Sequence, residues 1–390
     1  MSPIRTIKFT LVASLAVTTL LTGCQLGTGS GDAAPIVVGV DLELSGSGSE
    51  AGRAYEQALT LRVEQLNEQG GLGRPVELRI RDNRSDPTES ERNIVDLAAD
   101  RSVAGIITGG CNECAIKAAA AAGEQRIPLL ALAGSDAITS PLADRPFAFK
   151  IATSPRENAG ALLGALAMKR VRSFSMIRID DTYGAEGQRA LREAAGRVGM
   201  GMGQVVTLAS DEKDLSGPVG RVLRDNPSAL VVIASAQQAA AIVTEARGAG
   251  YRGEIVLDPV AGGSLFQPAG TDGTTIAFSQ TMVIDDIVAT TPAKAMRLQW
   301  FRDYSTRFGD YSGLASYGAD ALTLLTEAVV RSEVDDTAPD REEVRRALET
   351  SQADGFSGSL RLTPENHSAL MPQSLTLLSV RGGRWRLAFG

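Results

Sequence analysis

From Pro35 onward, short β-branched runs alternate with longer segments of helical period, and this rhythm runs once, restarts and runs again. PIVVGV reads as a buried strand by its continuous apolar character. AYEQALTLRVEQLNEQGG puts Tyr55, Leu59, Val63 and Leu66 on one helical face and ends in a glycine pair suited to a C-cap. VELRIRD is a strand, PTESERNIVDLAAD a helix opened by Pro87, and VAGIIT, an Ala-rich helix and IPLLAL close the first block. The second block runs SFSMIRID, YGAEGQRALREAAGRVG, QVVTLA, a weaker helix around Leu215–Arg224, ALVVIAS, QQAAAIVTEARGAG and EIVLD. Such alternation requires parallel sheets with right-handed crossovers, so two blocks predict an α/β chain with two doubly wound lobes. Thr291–Thr350 is mostly helical, and Ser357–Gly390 alternates like short antiparallel strands broken at Arg381-Gly382-Gly383. Ala148–Thr153, Gln280–Val283 and Gly355–Gly358 are the candidate crossovers between lobes.

The N-terminus speaks to location. Arg5 and Lys8 precede FTLVASLAVTTLL and then Thr22-Gly23-Cys24. A basic end, a short apolar core and small residues make an export signal, too short for a spanning helix. A cysteine directly after Leu-Thr-Gly resembles the lipobox of bacterial lipoproteins. That resemblance implies a signal peptide over 1–23, with Cys24 lipidated as the mature N-terminus; an ordinary secretory signal with an incidental cysteine is the alternative. The GTGSGDAA stretch makes 24–34 a flexible tether. About 365 residues follow the signal, enough for two domains.

Loss of Arg5 and Lys8 with the signal takes the formal charge from −7 to −9. Nucleic-acid binding needs a basic face, so it is not expected. No later run reaches the ~18 apolar residues of a membrane span, so the expected membrane attachment is the lipid anchor alone.

The ordered series GVDLELSGSGSEAGRAYEQAL, LNEQGGLGRPVELRIRDNRSDPTES, CNEC and DDTYGAEGQ resembles the substrate-binding lipoproteins of branched-chain amino-acid ABC transporters. The similarity in order and spacing runs from about Ile36 to the C-terminus. The resemblance implies the type 1 periplasmic-binding fold: two Rossmann-like lobes joined by three crossover strands, with the ligand in the cleft between them. Lobe one would be 36–150 plus 283–355, and lobe two 151–282 plus 356–390. It also implies an amino-acid-like or amide solute, an ABC permease as partner, no cofactor, a monomer, and a place on the outer face of the cytoplasmic membrane or on the periplasmic side.

Ligands of open parallel sheets bind beyond the carboxyl ends of the strands. After VAGIIT, Asn112 stands at a helix start, where it can cap the helix or help hold a carboxylate. By the resemblance, Asn112, Ala133 and Ser135 fall where the family holds the ligand's α-carboxylate. Asp258 falls at the ammonium-binding carboxylate, and Tyr183 at a cleft tyrosine. Asp258 could instead cap the turn at Pro259, and Tyr183 could pack at its helix start. Ser45, Glu113 and Ala236 are further possible contacts. Ala51 stands where the family often has an aromatic residue, and Ser235-Ala236 where it often has a tyrosine, so the pocket is expected to be wider or more polar. Glu113 would repel a carboxylate and favour a cationic or neutral ligand.

Cys111 and Cys114 sit three apart in an exported chain, where disulfides persist. Positions i and i+3 in a first helical turn bring Cα atoms within the ~4.4–6.8 Å a disulfide needs. The family often ties a cysteine at the Cys111 position to one in the preceding loop. RDNRSDPTES has none, so Cys114 is the substitute partner. A redox pair, half a zinc site and two free thiols are the alternatives. Zinc needs about four ligands, and the only histidine, His367, is far along the chain between Asn366 and Ser368, where a surface position is expected. An enzyme is not expected, because no nucleophile–base pair assembles from the sequence. A ligand-sensing lipoprotein of the same fold and an exported amide hydrolase are the competing functions.

Overall fold

The computed structural model describes residues 34–263, 272–279, 288–332 and 340–388. The expected signal peptide, Cys24, most of the expected tether and the expected crossover at Gln280–Val283 lie outside the described residues. Among the described residues no helix is long and apolar enough to cross a membrane.

The first block forms a five-stranded parallel sheet in the order β2-β1-β3-β4-β5, from Val76–Asp82, Ile36–Leu42, Val103–Thr108, Leu129–Ala131 and Ala148–Lys150. β1 and β3 are buried at every residue, as a central strand covered on both faces must be. Helices α2 (Pro87–Ala99) and α3 (Asn112–Gln125) pack on each other, and Ile94, Leu97 and a run of α3 alanines share a core cluster with Val103 and Ile106. α1 (Ser49–Gln69) ends at Gly70 with φ 63°, a left-handed C-cap that glycine adopts without strain.

The second block forms a seven-stranded sheet. β6 (Ser173–Ile179), β7 (Gly201–Leu208), β8 (Ala229–Ile233), β9 (Glu254–Leu257) and β10 (Thr275–Phe278) are parallel. β13 (Thr376–Arg381) and β14 (Arg384–Leu387) add antiparallel strands at one edge, giving the order β14-β13-β10-β9-β8-β6-β7. Their helices are α4 (Pro155–Met168), α5 (Thr182–Val198), α6 (Ser216–Leu223) and α7 (Ala236–Gly248). Side-chain caps start several of them: Ser154 and Glu157 form a capping box at α4, Asp181 caps α5 and Ser235 caps α7. In both sheets the strand order reverses once, between β1 and β3 and between β6 and β8. These are the switch points at which α/β sheets open a crevice.

The later helices α8 (Pro292–Phe308), α9 (Ala315–Ser332) and α10 (Arg341–Leu348) return to the first sheet, with α9 against α1 and both α9 and α10 against β3. Two expectations are corrected here. Gly355–Gly358 is no crossover: it is the turn joining β11 (Gln352–Asp354) to β12 (Ser359–Arg361). Buried Asp320 on α9 holds that turn, accepting from Phe356 N at 2.7 Å and Ser357 N at 2.8 Å. His367 is buried and not at the surface. Its ring stacks on Phe149 with centroids 4.0 Å apart, and Nδ1 lies 2.9 Å from the Ala148 carbonyl oxygen. The tail passes beside β5 at this point, and a local sequence pattern carries no sign of so distant a partner.

Candidate functional site

The carboxyl ends of β1 and β3 from one sheet, and of β6 and β8 from the other, open on a common cavity of about 400 Å³. That volume lies within the range of small-molecule sites.

One wall carries acid. Glu43, directly after β1, lines the cavity and is 1% exposed. Its Oε1 accepts from Gly110 N at 2.9 Å, while Oε2 is buried and has no hydrogen-bond partner among the described residues. The chain approaches it closely: a Cβ at Gly109 would fall 2.0 Å from Oε2, so a larger residue there would push the Glu43 carboxyl aside. Burial pushes the Glu43 carboxyl up to about 7, with the charge of Asp41 pushing the same way and the amides of Gly110 and Cys111 opposing. Ser312 Oγ and Tyr317 Oη, also in the cavity wall, are likewise buried without a partner among the described residues. Glu50, Glu113, Asp180 and Asp181 add further carboxyl groups to the lining. No Lys, Arg or His lines the cavity among the described residues.

The facing loop, which follows β4, is closed on itself. Asn112 Oδ1 accepts from Gly134 N at 3.2 Å and Ser135 N at 3.0 Å. Glu186 on α5 accepts from Ser135 Oγ and Asp136 N, each at 2.9 Å, and from Ala137 N at 3.1 Å. Lys150 is fully buried beneath the loop, and its Nζ donates to the Gly134 carbonyl at 2.6 Å and to Asp136 Oδ1 at 3.3 Å. Burial pulls the Lys150 ammonium below its usual value, and Asp136 opposes that shift. Glu113 Oε1, on α3, accepts from Thr182 N at 2.8 Å at the start of α5. These bonds tie α3 and its neighbouring loop, on the first sheet, to α5, on the second.

A third set of groups forms a relay of fixed bonds. Thr153 Oγ1 donates to Asn158 Oδ1 at 2.6 Å, and Asn158 Nδ2 donates to Tyr183 Oη at 2.9 Å. Tyr183 Oη donates in turn to Asp258 Oδ1 at 2.5 Å. Burial raises the Asp258 carboxyl to about 6, while the Tyr183 hydroxyl pulls it down. The Asp181 carboxyl is also raised to about 6, by burial first and then by nearby Glu113, against the Gly184 amide.

Of the positions expected from the sequence, Asn112, Ala133, Glu113, Tyr183 and Ala236 line the cavity. Three do not. Asp258 has its Oδ1 taken by Tyr183 and by Val260 N, the latter being the turn-cap role. Ser135 is buried behind the loop with its hydroxyl on Glu186. Ser45 is exposed, and its Oγ donates to Asp82 Oδ2 at 2.7 Å. Asn112 is the first residue of α3 and not its cap; Cys111 holds the cap position. The sulfurs of Cys111 and Cys114 stand at disulfide distance with Cα atoms 5.2 Å apart, and Cys111 itself lines the cavity. The sequence reading passes over Glu43, Ser312 and Tyr317. For Glu43 the signal is present: a carboxylate directly after a mostly apolar strand, at a strand end where ligands bind.

The chain matches the family described as Periplasmic binding protein over residues 35–384. Among solved structures, it is similar to an extracellular ligand-binding receptor from Rhodopseudomonas palustris HaA2, at 21% identity, TM-score 0.82, and coverage of 90% of this chain and 99% of that one. A leucine binding protein from Thermotoga maritima MSB8 shares 21% identity, with a TM-score of 0.77 and coverage of 90% and 97%. A solute binding protein of an ABC transporter from Rhodopseudomonas palustris BisB5, in complex with 3,4-dihydroxy benzoic acid, shares 16% identity, with a TM-score of 0.78 and coverage of 91% and 95%. At these identities the likeness to solved structures concerns the fold. With the family match spanning both sheets and every strand end that opens on the cavity, this chain belongs to the periplasmic binding proteins.

Proposed function

We propose that this protein is an extracytoplasmic solute-binding lipoprotein that captures a small polar solute in the cavity and delivers it to an ABC permease. The observation that carries the reading is that Glu43, Ser312 and Tyr317, each with a buried side-chain oxygen (Oε2, Oγ and Oη) unpartnered among the described residues, line one cavity at the switch points of two sheets. Buried polar groups are normally paired, so a group of them in one wall fits a ligand that supplies the partners. Each sheet with its helices acts as a lobe, and hinge closure of one on the other presents a new combined surface to the permease. The lobes follow the boundaries expected from the sequence, with the C-terminal return moved beyond the Gly355–Gly358 turn. Family membership supports the extracytoplasmic setting, and Cys24 is the proposed anchor.

Amino-acid-like and amide solutes remain the starting classes. The bound acid of the Rhodopseudomonas BisB5 protein widens the family's chemistry, but an aromatic anion fits poorly beside Glu43, Glu113 and Asp181. Thermal melting of the purified protein against amino acids, amides, amines and aromatic acids tests the reading. A solute at 100 times its Kd stabilises the fold by about 2.7 kcal/mol, several degrees in melting temperature. No shift with any class of solute would overturn solute capture.

A further inference from the structure

We infer that the captured solute is an organic cation without a carboxylate, its ammonium or amidinium group held at Glu43. The inference rests on the solute-binding reading and narrows it. Three independent features of the cavity converge on it.

The first is Glu43 itself. A 99%-buried carboxyl with one oxygen on Gly110 N and the other without a partner among the described residues is an unfavourable arrangement in the free protein. A cationic N–H donor supplies the missing countercharge, and the missing hydrogen bond once the carboxyl turns Oε2 from its contact with Gly109 toward the cavity. Charge-assisted bonds of this kind are the strong ones. The hydroxyls of Ser312 and Tyr317, in the same lining and likewise unpartnered among the described residues, can accept the remaining N–H groups of such a head.

The second is the sign of the lining. Five carboxyl-bearing residues and, among the described residues, no basic one face the cavity. An anionic group entering it would meet repulsion with no countercharge in the wall.

The third is the state of the loop after β4. The amides of Gly134 and Ser135 would be the natural donors to an incoming carboxylate, and both are spent on Asn112 Oδ1. The next two amides, of Asp136 and Ala137, and the Ser135 hydroxyl are spent on Glu186. The chain's own acceptors thus occupy the place a ligand carboxylate would take. A solute with an ammonium and no carboxylate needs nothing from that loop; an α-amino acid has to displace two buried acceptors to dock there.

The test is isothermal titration of the purified full-length protein with matched pairs: putrescine against ornithine, cadaverine against lysine, agmatine against arginine. Leucine, acetamide and 3,4-dihydroxybenzoate serve as zwitterionic, neutral and anionic controls. The expected result is that at least one amine binds ten times or more tightly than its parent amino acid. Glu43→Gln, which keeps the acceptor for Gly110 N, should weaken that amine at least tenfold without lowering the melting temperature of the free protein. Equal or tighter binding of the parent amino acids, or binding confined to a neutral or anionic control, would overturn the inference while leaving solute capture intact. Undiminished amine binding by Glu43→Gln would remove Glu43 from the site. Silence from every compound would sink the solute-binding reading together with the inference.

Discussion

On the wall made by the loop after β4, every amide from Gly134 to Ala137 has an acceptor, and a buried lysine holds a carbonyl from below. On the wall made by Glu43, Ser312 and Tyr317, three buried polar atoms have no partner among the described residues. Both walls are polar, and both face the same cavity or back directly onto it. The difference teaches how to tell scaffold from site. Satisfied groups hold their shape without help, so their removal should damage the fold. Orphaned groups cost stability in the free protein, so their removal should leave the fold intact and damage binding.

The largest expected effect is on the satisfied side. Glu186→Ala strands the Ser135 hydroxyl and the Asp136 amide, while Ala137 N keeps Ser135 Oγ, and at 1–3 kcal/mol for each buried unsatisfied group it should cost about 3 kcal/mol. Urea unfolding measures this as a lower midpoint at unchanged slope. A loss below about 1 kcal/mol would mean that the loop holds itself and that the contrast between the walls is wrong.

Next is the pH dependence of the orphaned side. The Glu43 carboxyl titrates near 7 in the folded chain, against 4.5 for an ordinary glutamate. The folded state therefore holds its proton more tightly, so Glu43 favours folding below pH 4.5 and progressively disfavours it as pH rises to 7. Glu43→Gln should remove this slope, ending up to roughly 3 kcal/mol more stable relative to wild type at pH 8 than at pH 4. Asp41 and Tyr55 are the titratable neighbours, and both remain in the variant, so the difference between the two curves reports Glu43 together with its coupling to them. Parallel curves would show that Glu43 is not strained by its burial.

Asn112→Ala should cost about 2 kcal/mol, because two loop amides lose one shared acceptor. The smallest effect belongs to Ser312→Ala, within about 0.5 kcal/mol, since its hydroxyl has no partner to lose among the described residues. If Ser312 proves as costly as Asn112, its oxygen has a partner in the free protein.

Much of the architecture was open to reading from the sequence. Alternating apolar runs and helical periods identify the parallel parts of both sheets, because covered strands must be mainly apolar and their helices must show one apolar face. The antiparallel pair at Arg381-Gly382-Gly383 follows from its turn chemistry. What the sequence hides depends on distant partners. Gly355–Gly358 becomes a turn because Asp320, 36 residues away, accepts its amide at Phe356. His367 is buried because the tail happens to cross Phe149. Asp258 carries the right charge at a strand end, yet Tyr183 takes its oxygen, and no spacing within the chain reveals that claim. Glu43 was legible by the rule that directs attention to strand ends, which applies to β1 as much as to the later strands.

The bonds from Glu113 to Thr182 and from Glu186 to the loop join the two halves of the molecule beside the cavity, and they bear on time more than on choice. A solute shut between the halves leaves only after these links part. Under the proposed reading its dwell time then depends on the Glu186 bonds, which lie outside the cavity lining, while its identity depends on Glu43 and its neighbours. If the protein carries a solute as proposed, selectivity and turnover can drift independently: a change at Glu186, outside the cavity lining, would hasten release of every solute alike, and a change at Glu43 would alter which one is carried.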